Sequence, residues 1–274
     1  MHHKLINFTE RANPFNFSFS EQQIKTIASE PSGFHTIDFG SGIVSDLPIV
    51  GRASVKTVQF DNFNNPWRVW FANPAQVFLQ NNSRPLNLSV DSMGYITSAG
   101  VFSLFLTSPV EISAQENKIN ASIIDINPDG RLRAGITADI KTFFVNTLGN
   151  VPVKFVNLST DSGLLTITPT AKIPFSVPFL NNILYADALR LKADNATIAA
   201  YLFGGILQMP ILVKTAPRNS YPFYLPVTEI SPISETNNYH LDLAIPVTLD
   251  LNNAQQFCVQ QLTINSQGNL ISLP

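Results

Sequence analysis

The chain contains a single cysteine, Cys258, in 274 residues. One thiol can form neither an intrachain disulfide nor a Cys-x-x-Cys redox motif nor a thiolate metal cluster. Charge is also scarce, because Asp, Glu, Lys and Arg make up 13% of the residues, where about 25% is typical. The surface must therefore be built largely from uncharged side chains.

The few charges nearly cancel, and they form no blocks. Seventeen basic and nineteen acidic side chains give a net charge of −2. A phosphate backbone or an anionic lipid surface attracts a protein that presents a basic stripe, which this sequence does not have. The composition therefore argues against nucleic acid as a direct partner.

Long apolar runs are missing as well. No run approaches the roughly 18 apolar residues that a membrane-spanning helix needs. Residues 1–7 have no apolar core of the kind that secretion signals carry. We therefore expect neither a transmembrane segment nor a signal peptide in this chain.

Alternating hydrophobic residues dominate the chain from residue 35 onward. In one such run Val55, Thr57 and Gln59 alternate with Lys56 and Val58, which is typical of a half-buried strand. Nineteen prolines interrupt the apolar runs and belong at strand edges, bulges and connections. The pattern predicts an all-β fold, made of one or two antiparallel β-sandwiches of jelly-roll type.

Four short sequences that end in glycine separate apolar runs and resemble hairpin turns. They lie at residues 91–94, 127–130, 160–163 and 265–268. Their spacing fits either an internal duplication or a series of generic hairpins. Residues 137–149 fit a strand to about residue 140, followed by a short helix or loop.

Three regions are predicted along the chain. Residues 1–33 form an N-terminal arm and a short helix, residues 34–149 a first β-sandwich region, and residues 150–274 a second one. The helix is expected to begin after Ser20 as N-cap, with Gln23 completing a capping box, and to end at Ser29. The arm carries Phe15, Phe17 and Phe19, which need an apolar surface to lie against.

One loop has the beginning of a calcium-binding motif. Asp125, Asn127 and Asp129 occupy the first, third and fifth positions. The twelfth position, where a bidentate Glu is required, is Ile136. Asn-Pro-Asp-Gly is also a good type I turn, so we favour a turn over a metal site and expect no cofactor.

No catalytic constellation is recognisable. The internal histidines His35 and His240 have no ligand partner at zinc-site spacing. The Gly-x-Ser-x-Gly elbow of hydrolases is absent from the sequence. We therefore predict a non-enzymatic protein that has no catalytic residue.

Aromatic segments provide candidate binding surfaces. Trp67 and Trp70, with Asp61 nearby, would serve as a stacking platform for a ligand. Residues 221–226 are predicted to form an exposed adhesive loop, with Tyr221, Phe223 and Tyr224 as interface residues. Residues 204–213 are apolar enough for a lipid contact, although a buried strand fits their length better.

The first β region resembles small β-structured proteins of tailed and icosahedral bacteriophages. The resemblance covers residues 55–126 and depends on four short sequence segments. They are residues 58–66, Gln76 with residues 77–79, residues 82–86 and residues 109–114. The resemblance implies a virion structural or attachment component. It carries over no catalytic residue, because that family is defined by its association with virions.

Three functional hypotheses follow. The first is a virion structural component (capsid, spike or decoration protein) that forms a homo-oligomer and contacts other virion proteins. Under this hypothesis, the rings of Phe15, Phe17 and Phe19 would enter a groove of a neighbouring chain. Deleting residues 1–19 would then reduce the number of chains in the oligomer. The second is an elongated β protein that binds membrane lipid or another hydrophobic ligand. The third is a carbohydrate-binding or hydrolytic β domain that uses Trp67, Trp70 and Asp61.

Overall fold

The fold was determined as a computed structural model. It describes residues 15, 17, 19–29, 35–62, 65–80, 85–138, 140–180, 182–192, 197–216, 219–233, 236–251 and 255–272. Residues 1–14 of the predicted arm lie outside this set.

One helix and eighteen strands make up the described chain. The helix α1 spans Glu21–Ser29. The strands are β1 His35–Leu47, β2 Gly51–Phe60, β3 Pro66–Gln80, β4 Pro85–Ile96, β5 Val101–Ala114, β6 Asn117–Ile126, β7 Leu132–Thr137, β8 Thr142–Val145, β9 Gly149–Ser159, β10 Leu165–Pro169, β11 Ile173–Phe175, β12 Leu184–Ala186, β13 Ala188–Leu191, β14 Ile198–Ala216, β15 Asn219–Ile233, β16 Asn238–Leu251, β17 Gln255–Asn265 and β18 Leu270–Ser272. The prediction of an all-β antiparallel fold is therefore confirmed.

The chain divides into two compact units. Unit 1 comprises Met1–Ala114, Lys118–Ala138 and Leu158–Asp161, and unit 2 comprises Gln115–Asn117, Asp139–Asn157 and Ser162–Pro274. The main boundary falls between Ala138 and Asp139, ahead of the predicted seam at residues 149–150. The arm and α1 belong to unit 1.

Strands pair mainly with their neighbours in sequence. In unit 1, β1 to β7 follow one another across the sheet in chain order. In unit 2, β9 pairs with β8 and β10, and β10 is followed by β13 to β18 in order. The hairpin of β11 and β12 forms a separate two-stranded sheet.

Four strands share one irregularity, in which four residues lie opposite a single residue of the partner strand. We call these segments the four-residue bulges. They are residues 39–42 in β1, 71–74 in β3, 203–206 in β14 and 243–246 in β16. Each begins with Phe or Leu, and the residues after this first one are mostly exposed.

The four-residue bulges recur in the same order in both units. The first of each unit begins Phe-Gly, at Phe39 in β1 and Phe203 in β14. The second reads Ala-x-Pro at its end, at residues 72–74 in β3 and 244–246 in β16. In each unit one strand separates the two bulged strands. This order supports an internal duplication of the segment that contains the two bulged strands and the strand between them.

The core of unit 2 lies on the inward rows of its long strands. Met209 and Ile211 of β14 and Leu225 and Val227 of β15 are at most 1% exposed. Leu212 of β14 forms an isolated parallel bridge with Asn269, beside β18. The apolar segment at residues 204–213 is thus part of strand β14, as its length indicated, but the strand is not buried throughout, because Ile206 is 57% exposed.

The structure contains the capping box that the sequence predicts at the start of α1. The Ser20 amide donates to Gln23 Oε1 at 2.8 Å, and the Gln23 amide donates to Ser20 Oγ at 3.3 Å. This reciprocal pair is the predicted capping box. The predicted helix at residues 20–29 is therefore confirmed as α1.

Two local predictions were wrong. Residues 91–94 lie inside strand β4, and the turn falls at residues 97–100, where Gly100 has a φ of 64°. The stretch after residue 140 forms strand β8, not a short helix. In contrast, turns occur as predicted near Gly130, Gly163 and Gly268, which all have positive φ.

Candidate functional sites

Three aromatic side chains of the arm are buried within their own unit. Phe15, Phe17 and Phe19 are at most 6% exposed. The Phe19 ring lies 5.9 Å from that of Phe39 and 6.2 Å from that of Phe60, and Phe15 packs edge-on against Phe102 at 6.1 Å.

The buried arm rings complete the core of unit 1 as it stands. An arm exchanged between copies would make these same contacts in a neighbour. The interface role of Phe15, Phe17 and Phe19 therefore stays a prediction.

Trp70 takes part in a stack centred on Arg68. The Arg68 guanidinium carbon lies 3.8 Å from the ring centroid of Phe105 and 4.7 Å from that of Trp70. Its Nη2 donates to Ser92 Oγ at 3.2 Å. Burial lowers the pKa of Arg68, and the nearby charge of Asp91 acts in the opposite direction. The Trp70 ring thus already holds a cation.

Gly94 makes room for this stack. It lies opposite Arg68 in the β3–β4 register. A Cβ at Gly94 would stand 3.7 Å from the Phe105 ring and 4.0 Å from Arg68 Cγ. A longer side chain there would occupy the path of Arg68 towards Phe105.

Asp61 is committed to the turn between β2 and β3. Its Oδ1 accepts from the Asn65 amide at 2.9 Å, and its Oδ2 accepts from Asn65 Nδ2 at 3.3 Å. Trp67, in the following strand, is half-buried. The predicted platform residues Trp67, Trp70 and Asp61 therefore each have structural partners, and their joint role as a platform stays a prediction.

Residues 221–226 lie in strand β15, so the prediction of an adhesive loop was wrong. Phe223 is half-buried against the core of unit 2. Tyr224 is 70% exposed and lies opposite Pro210 of β14. The side chain of Tyr221 lies outside the described residues. Strand alternation, which turns neighbouring side chains to opposite faces, explains why Tyr224 points outward while Leu225 is buried.

The calcium-like sequence folds as a turn between β6 and β7. Asp125 is 9% exposed, and its Oδ1 accepts from Ser103 Oγ at 2.6 Å. Asp129 accepts from the Arg131 amide at 3.0 Å, and the Gly130 amide donates to the Asn127 carbonyl at 2.9 Å. Burial raises the pKa of Asp125, against the effects of Ser103 and Arg133. A buried carboxyl that already accepts from Ser103 is a poor cation ligand.

The described residues contain no group of three or more His, Cys, Asp or Glu side chains that could hold a metal ion. His35 stacks on Phe60 with ring centroids 5.1 Å apart. His240 Nε2 lies 3.9 Å from Asp242 Oδ1, which also accepts from Gln261 Nε2 at 2.7 Å. Both histidines thus lie among structural partners within strands.

A cleft in unit 2 was not foreseen from the sequence. It has a volume of about 240 Å³, and its walls include Leu148, Val151, Pro152, Pro169, Ile173 and Pro174. The Thr170 amide donates to the Pro152 carbonyl at 2.9 Å and joins two sides of the cleft. The prolines were the available signal, but the sequence does not show that the chain at Thr170 bonds back to Pro152.

The polar groups of the cleft wall are largely engaged. Lys172 Nζ lies 3.0 Å from Asp187 Oδ1. The Gly204 amide donates to Asp187 Oδ2 at 2.8 Å, and this bond together with Lys172 lowers the pKa of Asp187. The cleft thus offers an apolar surface whose one cation is already paired.

Neither a family model nor a curated protein nor a solved structure matches this chain. Within the described residues, no helix has the length and apolar character needed to cross a membrane.

Proposed function

We propose that this chain is a non-enzymatic structural component of a virion, such as a capsid, spike or decoration protein. It would act as a homo-oligomer through its interfaces and would contact other virion proteins. A sandwich of jelly-roll type within its all-β fold belongs to the same proposal.

Bare aromatic rings on regular strands are the observation that carries the proposal. Phe78 of β3 is 75% exposed and Tyr224 of β15 is 70% exposed. An aromatic side chain can bury about 150–250 Å², and aromatic rings are enriched at the centres of interfaces. Pro210, opposite Tyr224, and Leu212 extend the apolar surface along β14.

The low charge of the surface supports the same function. Charged residues make up 13% of the chain, and the cores of interfaces are depleted in charge. The resemblance of residues 55–126 to phage β proteins supplies the virion context.

The alternative ligands receive less support from the geometry. A cleft of about 240 Å³ is smaller than most ligand pockets, which span about 300–1,000 Å³. The Trp70 face is shared with Arg68, as described above. The hypotheses of membrane-lipid binding and carbohydrate binding are therefore less well supported than that of assembly.

Native mass spectrometry of the full chain without detergent tests the proposal. We expect a closed assembly of several chains with no additional mass. A monomer at concentrations of tens of micromolar would contradict it. A monomer that carries a heterogeneous apolar adduct would instead favour the lipid hypothesis.

A further inference from the structure

We propose that the cleft of unit 2 receives the Phe78 ring of a second copy of this chain. This inference rests on the proposed function, because it names one contact through which the chain would assemble.

The cleft selects an apolar ring of modest size. Cavities of about 150 Å³ lined by apolar side chains accept benzene, and this cleft measures about 240 Å³. Lys172 is held by Asp187, and the Pro152 carbonyl accepts from Thr170. An occupant would therefore meet carbon surface with few polar groups left to satisfy, which suits a phenyl ring better than a sugar or a carboxylate.

The chain itself displays such a ring. Phe78 is 75% exposed, more than any other large hydrophobic side chain among the described residues. It lies two residues before the end of β3, opposite Asn87 of β4. Its nearest polar neighbours in the hairpin include the uncharged pair Gln76 and Ser89, joined at 3.3 Å. The ring thus stands near a strand end, beside an uncharged pair of polar side chains.

The surroundings of the cleft would enlarge the contact. Phe144 of β8 is 60% exposed and lies opposite Asn150, which also lines the cleft. Leu148, on its wall, is 41% exposed. A stable interface buries about 1,200–2,000 Å² in total, so the Phe78 ring would act as the central anchor and these side chains as part of the surround.

The contact joins two different surfaces, one in unit 1 and one in unit 2. Such a heterologous contact closes into a ring or continues as a filament, because each copy offers both a ring and a cleft. Because the two surfaces differ, a variant that lacks one of them should still pair with a variant that lacks the other.

Two variants separate the two surfaces. Phe78→Ala keeps the cleft and loses the ring, whereas Ala171→Glu keeps the ring and places a carboxylate at the exposed edge of the cleft. Each variant alone should form smaller species than the wild type in native mass spectrometry. Ile96→Ala is the matched control, since Ile96 is an exposed apolar residue of the same unit, and it should retain the wild-type mass.

Mixing the two variants tests the pairing itself. One complementary contact remains, with the ring of the Ala171→Glu chain in the cleft of the Phe78→Ala chain. We expect mixed pairs, recognised by their two chain masses, well above the statistical share. Circular dichroism of each variant checks that the strands are intact.

The outcomes separate this inference from the proposed function. Wild-type assembly that persists unchanged in Phe78→Ala, or mixed pairs at the statistical share, overturns the inference and leaves the function standing. A wild type that is monomeric overturns both.

Discussion

Polar side chains inside this protein are held by one or two specific partners. Asn117 Nδ2 donates to the Gly163 carbonyl at 2.7 Å, and Ser103 donates to Asp125. Arg190 Nη1 bonds Glu229 Oε1 at 2.7 Å, in a pair that is largely shielded from solvent. Removing one partner leaves a buried group without compensation, which costs about 1–3 kcal/mol. These residues fix the sheet locally and do not converge on a reaction centre.

Asp125 makes the stability of the fold depend on pH. Burial raises the pKa of Asp125, so the folded chain binds this proton more tightly than the unfolded chain does. The contribution of Asp125 to stability is therefore present below the ordinary carboxyl pKa of about 3.9 and is lost as pH rises through the raised value.

Asp125→Asn removes the ionisation and keeps an acceptor for Ser103. We expect the free energy of unfolding of the variant to rise relative to wild type as pH increases from below the ordinary carboxyl pKa of about 3.9 through the raised value. Urea unfolding at several pH values measures this difference. A difference that is independent of pH would contradict the role of Asp125.

At the scale of elements, the four-residue bulges distinguish this fold from a regular meander. In the first bulge Asp38 Oδ1 accepts from the Gly40 amide at 2.8 Å, and in the third Asp187 accepts from the Gly204 amide. An acidic side chain thus stabilises the first glycine of the bulge in both units. The bulges recur where the sequence repeats Phe-Gly and Ala-x-Pro, which fits duplicated elements.

Within the bulge of β1, glycine is required more strictly at Gly42 than at Gly40. It has a φ of 86°, and a Cβ would lie 2.5 Å from Ser54 Oγ and 3.2 Å from the Val55 carbonyl oxygen. Gly40 also has a positive φ, but a Cβ there would meet nothing within 4 Å.

Gly42→Ala should therefore destabilise the protein more than Gly40→Ala does. The left-handed backbone alone costs about 1–2 kcal/mol, and the clash at Gly42 adds to it. Thermal unfolding of the two variants compares them directly. Equal losses of thermal stability in the two variants would contradict this expectation, since they would show that the clash at Gly42 adds no cost.

Phe19 of the arm is part of the core of unit 1. Phe19 is 2% exposed and contacts Phe17, Phe39 and Phe60. Truncation of a buried Phe to Ala typically costs about 3–5 kcal/mol.

Phe19→Ala should therefore lower the free energy of unfolding by about that amount. Chemical denaturation measures the loss. A loss that grows on dilution of the protein would indicate that the arm is exchanged between copies, whereas a negligible loss would contradict the packing of the arm.

Sequence reasoning recovered the elements whose signals are local. The capping box at Ser20 and the turn at Gly130 depend on neighbouring residues, so the chain itself displays them. Gly94 was misassigned to a turn because its role, clearance for Arg68, depends on a strand that is distant in sequence. The cleft was missed for the same reason, since Pro152, Pro169 and Pro174 line it from three strands that are separate in sequence.

At the scale of the whole molecule, the two units share a repeated hairpin pair and expose uncharged apolar surface. The inward side chains of the long strands are buried in the core. The rings of Phe78 and Tyr224, in contrast, are exposed to solvent in the isolated chain. A protein that does its work through interfaces explains both features.

Native mass spectrometry of the wild-type chain without detergent would show whether the protein assembles through its interfaces. We expect a discrete assembly of several chains whose mass is an integer multiple of the chain mass. A monomer at every concentration up to tens of micromolar would contradict it.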